Sequence, residues 1–385
     1  MGKWIKHTAM IALIACFGGG GVAEAAVQHA NTSASVEFPV SNWSQKLAQH
    51  AVAVGVQGRA WHILKKVPID AQVQEVTAHV ALIDVFAPAS GAWPAGLDLL
   101  NLATGKLKNV VRVPAGEDTP AAATAGNWVV YEDGRTGSDS YRMIVGHNVL
   151  TGKSYPIFKL PRQTYSAGNV QGLTIHGTRA YWLSNLLTPS GLVSRVYRDN
   201  LGTGQFKILA QVNDSRQHRL MLAMTAGPNG LWVSVAATGT VAAHQPGALW
   251  YLPWTGDTFT TRVSVWHAPT LLYGATNAAV VFSADYGPRP SSSTNPPPFP
   301  VYADEVARHR VLQLTERVAP GRAGTVAGAW LSINAMGDKS LIVNLETMRD
   351  VILPFPQAVV GKDWVVLRGP SLIAWARLNA VTASR

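Results

Sequence analysis

From residue 80 to residue 378 the chain alternates short apolar runs with turn residues, and the runs return at a regular interval. Seven of them are rich in aromatic and β-branched residues: Val80–Ile83, Trp128–Tyr131, Tyr181–Leu183, Leu231–Val233, Val280–Phe282, Trp330–Ile333 and Trp364–Leu367. Short runs of this kind, bounded by Gly and Asn, predict buried strands, because flat or branched side chains pack well on a pleated surface. Most follow a Gly or Asn turn and a run of small residues, as Ala121–Ala125 stands before Gly126.

A second signal lies downstream of each run, a turn of the form N-L-x-T-G-K. It reads Asn101–Lys106, Asn148–Lys153 and Asn200–Gln205, with a weaker copy at Leu252–Asp257 and degenerate ones at Glu305–Arg310 and Asn344–Arg349. Thr104, Thr151, Thr203 and Thr255 fall 47, 52 and 52 residues apart. Thr-Gly between two apolar runs is hairpin chemistry, since Gly supplies the positive φ that a tight turn needs. Each repeat therefore reads as a small-residue inner strand, an aromatic strand, a third strand, a Thr-Gly turn and an outer strand. Four antiparallel strands at this period make a propeller blade. The prediction is an all-β β-propeller of seven blades, six being the alternative because the last two copies are short. The seventh copy has one strand after Trp364–Leu367, namely Leu372–Leu378, and an open ring would leave two sheet edges bare. Ala60–Leu64 is the expected closing strand.

The turn and the aromatic strand before it resemble the repeats of bacterial TolB-like and quinoprotein-like propellers, over most of residues 75–378. That resemblance implies an exported binding or scaffold propeller. Quinoprotein dehydrogenases carry a Trp shortly after the T-G-K turn. Lys108-Asn109-Val110 and Tyr155-Pro156-Ile157 stand there instead, so no cofactor is expected.

The amino terminus changes the picture of location. Lys3, Lys6 and His7 precede an apolar run, Thr8–Phe17, that is too short to span a bilayer. Ala23-Glu24-Ala25 fits cleavage after Ala25. Leu13-Ile14-Ala15-Cys16 resembles a lipobox, which would make Cys16 the lipidated first residue. The anchored form is preferred, because the chain's one cysteine stands at the end of the apolar run. Both routes predict an extracytoplasmic protein: residues 1–25 as signal, 26–44 as linker and 45–385 as the propeller. The net charge is +10, but basic residues are scattered singly and the largest cluster is Arg308-His309-Arg310. A nucleic-acid groove needs clustered cations with interleaved aromatics, so none is expected. Membrane contact is expected only through the lipid.

Motifs of chemistry are sparse. Gly146–Ser154 lacks a P-loop's second glycine and its helix. The 11 histidines form no H-x-H or H-E-x-x-H, and there is no G-x-S-x-G elbow or D-x-[DN]-x-[DN]-G calcium loop. No catalytic or metal residue is assigned. The tryptophans at 128, 182, 232, 330 and 364 are read as packing between blades. Two loops carry the candidate ligand rim. Residues 132–140, joining the second and third strands of the second copy, offer Asp133, Arg135 and Asp139. The Ser/Pro-rich stretch of the fifth copy offers Asp285, Tyr286 and Arg289. The reading is a monomeric binding or interaction propeller at the cell envelope, with an envelope protein or a small molecule as partner. The alternative is a propeller hydrolase or lactonase with an axial metal.

Overall fold

The N-L-x-T-G-K turn shows why the repeat folds as it does. In the computed structural model, Asn101 Oδ1 accepts from the amides of Ala103 and Thr104, and Asn148 and Asn344 repeat the pair of bonds on Leu150 and Thr151 and on Glu346 and Thr347. Gly105, Gly152 and Gly204 take φ of 67–70° and donate back to the Asn carbonyl. Met348 fills the glycine position in the sixth repeat at φ 56°. In the fourth repeat the turn is tighter than the sequence alignment implies. Pro253, not Leu252, takes the Asn place, and Gly256 N–H closes on its carbonyl.

The structure describes residues 40–42, 52–56, 60–67, 71–86, 94–114, 117–135, 141–160, 170–189, 191–238, 247–263, 271–283, 299–305, 310–318, 323–336 and 339–383. They form seven antiparallel sheets, each a blade. The inner strands are Gln72–Val76, Glu117–Asp118 with Ala122–Ala125, Val170–His176, Arg219–Gly227, Leu271–Ala275, Ala323–Ala327 and Gln357–Val360. Two short helices, Asp214–Gln217 and Leu378–Thr382, are the exceptions to strand and turn among the described residues. The ring closes as expected: His62–Lys65 pairs antiparallel with Leu372–Trp375 as the outer strand of blade 7. His62 stacks on Trp375, and Trp61 is buried beside it.

Two further pairings precede that closure. Val40–Asn42, within the stretch expected as linker, runs parallel to Val311–Gln313 on the outer edge of blade 5. Val52–Ala53 does the same on Val351–Ile352 of blade 6. The amino-terminal segment thus touches blades 5, 6 and 7 in turn before it enters blade 1.

The core lies between blades. Trp182 is wholly buried against blade 2 residues Val130, Ile144 and Leu160, and Trp364 packs against blade 1. This agrees with the packing role expected of the tryptophans. Side chains of blades 7, 1 and 2 also tie each of these to the next blade's turn. Trp375 Nε1 donates to Leu102 O, Lys108 Nζ to Val149 O and Tyr155 Oη to Leu201 O, each at 2.8 Å. Leu102, Val149 and Leu201 all occupy the second position of the repeated turn, so one carbonyl serves as the receptor three times. Inner strands approach neighbouring blades closely enough to demand glycine. A Cβ on Gly172 would lie 2.0 Å from Met224 O of blade 4.

A candidate functional site on blade 2

Inner strands begin, and second strands end, at the opposite end of the ring from the Thr-Gly turns. Blade 2 is unusual there. Its second strand runs from Trp128 to Arg135, so Glu132 and Asp133 lie in the strand and not, as expected, in the loop after it. The extension holds because Gly134 and Arg135 pair with Asp118 and Glu117 on one side, and with Arg142 and Tyr141 on the other.

This pairing gathers Glu117, Asp118, Glu132, Asp133 and Arg142. Arg142 donates to Asp118 at 2.5 Å and stands 3.8 Å from Glu132, and all three side chains are buried. Glu132 has no exposed surface. Burial pushes its carboxyl up to about 7, Asp118 adds to the shift, and Arg142 and the Val170 amide oppose it. Asp133 is half-buried. Burial, then the neighbouring Glu117 and Asp118, raise it to about 6 against Arg142. Removing a carboxylate from water disfavours its charged form, and a like charge adds to that cost.

Two acids of blade 1 share the behaviour. Glu75, on the inner strand, accepts from the Thr124 amide of blade 2 at 2.8 Å, and burial still raises it to about 7. Asp84, near the end of the second strand, is raised to about 7 by burial. At related places in other blades, polar groups reach the next blade's inner strand or the residue before it. Asn334 accepts from Ala358 N, Asn185 donates to Met221 O and Arg368 to Ala71 O. The position therefore has a structural use, satisfying backbone groups across a blade interface. Blades 1 and 2 fill it with acids.

The pH dependence of stability follows. A carboxyl raised in the folded state binds its proton more tightly there than in the unfolded chain. For Glu132 the window runs from its ordinary 4.5 to about 7. Below it the group costs nothing; as pH rises through it, stability is lost. The melting temperature should fall between about pH 5 and pH 8. Glu132→Gln, which cannot ionise, should flatten that fall and melt higher than the wild type at pH 8, by about 1–3 kcal/mol of stability. A scanning-fluorimetry series across pH checks it; an unchanged slope in the variant would contradict the assignment.

Of the residues expected at a ligand rim, Asp133 belongs to this cluster, and Arg135 is its strand neighbour by backbone position. Asp139, Asp285, Tyr286 and Arg289 lie outside the described residues, as does Cys16. The sequence reading missed Glu117, Asp118 and Arg142. The available signal was Arg142 itself, a charge at the start of the otherwise apolar Met143–Val145 run. Among the described residues, no three His, Cys, Asp or Glu side chains are grouped to hold a metal ion, and no helix is long and apolar enough to cross a membrane.

Fold and site together define a seven-bladed propeller with an acidic cluster at one end of blade 2. No protein-family model matches the chain, and no curated protein matches it by sequence. Solved structures match by shape. An oligogalacturonate lyase in complex with manganese aligns with TM-score 0.53 at 12% identity, over 83% of this chain and 94% of that one. The oligogalacturonate lyase of Vibrio parahaemolyticus aligns with TM-score 0.51 at 9% identity, over the same shares. At such identities the likeness is one of fold.

Proposed function

We propose that this is an exported binding propeller, held at the envelope by its processed amino terminus, that takes a cationic group of its ligand at the blade 2 cluster. The observation that carries the reading is the local charge. Four carboxyl groups gather around Arg142, and Arg142 is already engaged by Asp118. Asp133, like Glu117, keeps some exposed surface, and a cation beside it would favour its charged form. The rest of the protein is basic, so the cluster stands out as a place where an amine or a guanidinium is attracted. The test is thermal: a polyamine, a lysine-rich peptide and a divalent cation are titrated against the wild type and Asp133→Asn. At least one should raise the wild-type melting temperature by a few degrees at saturation, and the variant should lose most of that rise. Equal rises in both proteins, or none in either, would refute the site.

A second reading has its own support. Asp133 is raised to about 6, close to the pH at which a carboxyl can hold and release a proton in catalysis. The propellers similar in shape are named as lyases of oligogalacturonate, one of them with manganese. Incubation with oligogalacturonate, with and without manganese, separates the readings. A double-bond absorbance that grows with time and disappears in Asp133→Asn would favour catalysis.

A further inference from the structure

Blades 5 and 6 each carry a fifth, parallel strand at one place on the outer edge. In blade 5, Tyr302 pairs with Gln313, Ala303 with Leu312 and Asp304 with Val311, and Val40–Asn42 then pairs with Val311–Gln313 from outside. In blade 6, Leu341 pairs with Ile352 and Ile342 with Val351, and Val52–Ala53 covers Val351–Ile352. Blade 3 repeats the register: Tyr197 pairs with Ile208, Arg198 with Lys207 and Asp199 with Phe206. A bulge follows at the same step in blades 3 and 5, at Leu209 and Leu314. Phe206–Ile208 is therefore the blade 3 counterpart of the acceptor edge that this chain twice fills with its own segment.

In blade 3 no strand among the described residues covers it. The outer strand, Gln205–Asn213, is nine residues long, as is the covered outer strand of blade 5, Arg310–Val318. It contains no proline, whereas the outer strand of blade 2 is interrupted by Pro156. Phe206 and Ile208 are 43% and 44% exposed. Phe206 stacks on Phe158 of blade 2, which extends the apolar surface past the edge. On the other face Lys207 pairs with Asp257 of blade 4. An uncovered, apolar strand edge is a template for another chain, and natural proteins ordinarily blunt it.

We infer that the blade 3 edge at Phe206–Ile208 accepts an extended segment of another protein, added as a parallel fifth strand. The segment is defined by what it meets. Backbone groups pair with residues 206–208. An aliphatic side chain lies beside Phe206, and the polar residue that follows it faces the Lys207–Asp257 pair. This gives the binding propeller proposed above a protein partner, at a site separate from the blade 2 cluster.

The probe is a labelled peptide with the chain's own residues 38–44, because Val40–Asn42 already seats on the equivalent edge of blade 5. Fluorescence anisotropy with the full-length chain should show saturable binding. Phe206→Glu with Ile208→Glu should weaken it at least tenfold, and Leu107→Glu on the edge of blade 1 should leave it unchanged. Should the double glutamate variant melt early, Phe206→Ser with Ile208→Thr serves in its place. No binding to the wild type at millimolar peptide, or equal binding to the edge variant, overturns the inference. So does a wild-type dimer in sedimentation that the edge variant dissolves, which would assign the edge to a second copy. Asp133→Asn should bind the peptide normally, so failure here leaves the blade 2 reading intact, and the reverse holds.

Discussion

Removal of residues 45–66 should leave a chain that no longer melts as a cooperative unit. The deletion takes away His62–Lys65, the fourth strand of blade 7, with buried Trp61 and the stack of His62 on Trp375. It bares the edge Leu372–Trp375, in which Ile373 and Ala374 are fully buried and Trp375 nearly so. Burying one large apolar side chain is worth about 1.5–3 kcal/mol, and the whole fold is held by about 5–15. Losing several such groups together with a strand ladder therefore consumes most of the stability. The exposed edge then pairs between molecules. Circular dichroism melts and light scattering check this. A truncated monomer with an unchanged melting temperature would show that the ring does not depend on its closing strand.

The second large effect separates two glycines with nearly the same backbone. Gly152 and Gly172 both have positive φ, 68° and 62°. Around Gly152 a Cβ would meet nothing within 4 Å, so Gly152→Ala should cost only the left-handed conformation, about 1 kcal/mol. At Gly172 the same Cβ would meet Met224 O at 2.0 Å and Met224 Cβ at 2.8 Å across the interface of blades 3 and 4. The blades must part or the inner strand must shift, which adds about 1–3 kcal/mol of overpacking. Gly172→Ala should thus cost about 3 kcal/mol in chemical denaturation, against about 1 for Gly152→Ala. Equal losses would mean that the inter-blade approach at Gly172 is looser than it stands.

Local chemistry made the repeat readable. An Asn that caps its own turn, a Gly at positive φ and an aromatic strand at fixed distance are all interactions within one blade, and they gave both the seven blades and the closing strand. In the Leu252–Asp257 copy the Thr-Gly pair points to Leu252 as the turn's first residue, whereas the chain closes the turn on the Pro253 carbonyl, one residue later. The added strands at 40–42 and 52–53 were not readable. Val-Ser-Asn and Val-Ala are too short to carry a period, and their partners lie at 311–313 and 351–352. The blade 2 cluster was half readable. Asp133 stands in a visibly acidic stretch of sequence, but Asp118 and Arg142 come from different strands, and strand alternation does not say which faces of the sheet will meet. Alternation puts Arg142 on the face of buried Ile144, and only the fold shows that Asp118 meets it there.

The closing strand also sets the order of events as the protein is made. His62–Lys65 emerges early and finds its partner Leu372–Trp375 only after roughly 300 further residues, so this contact has about the largest sequence separation the chain allows. Blades 1 to 6 can assemble in sequence from local hairpins, each waiting only for its neighbour. The segment at 40–65 has to wait for blades 5, 6 and 7, its unpaired backbone open throughout. The slow step of folding is then the sealing of the ring. The stretch at risk of proteolysis or of pairing with another chain in that interval is the one that leaves first, not the one that leaves last.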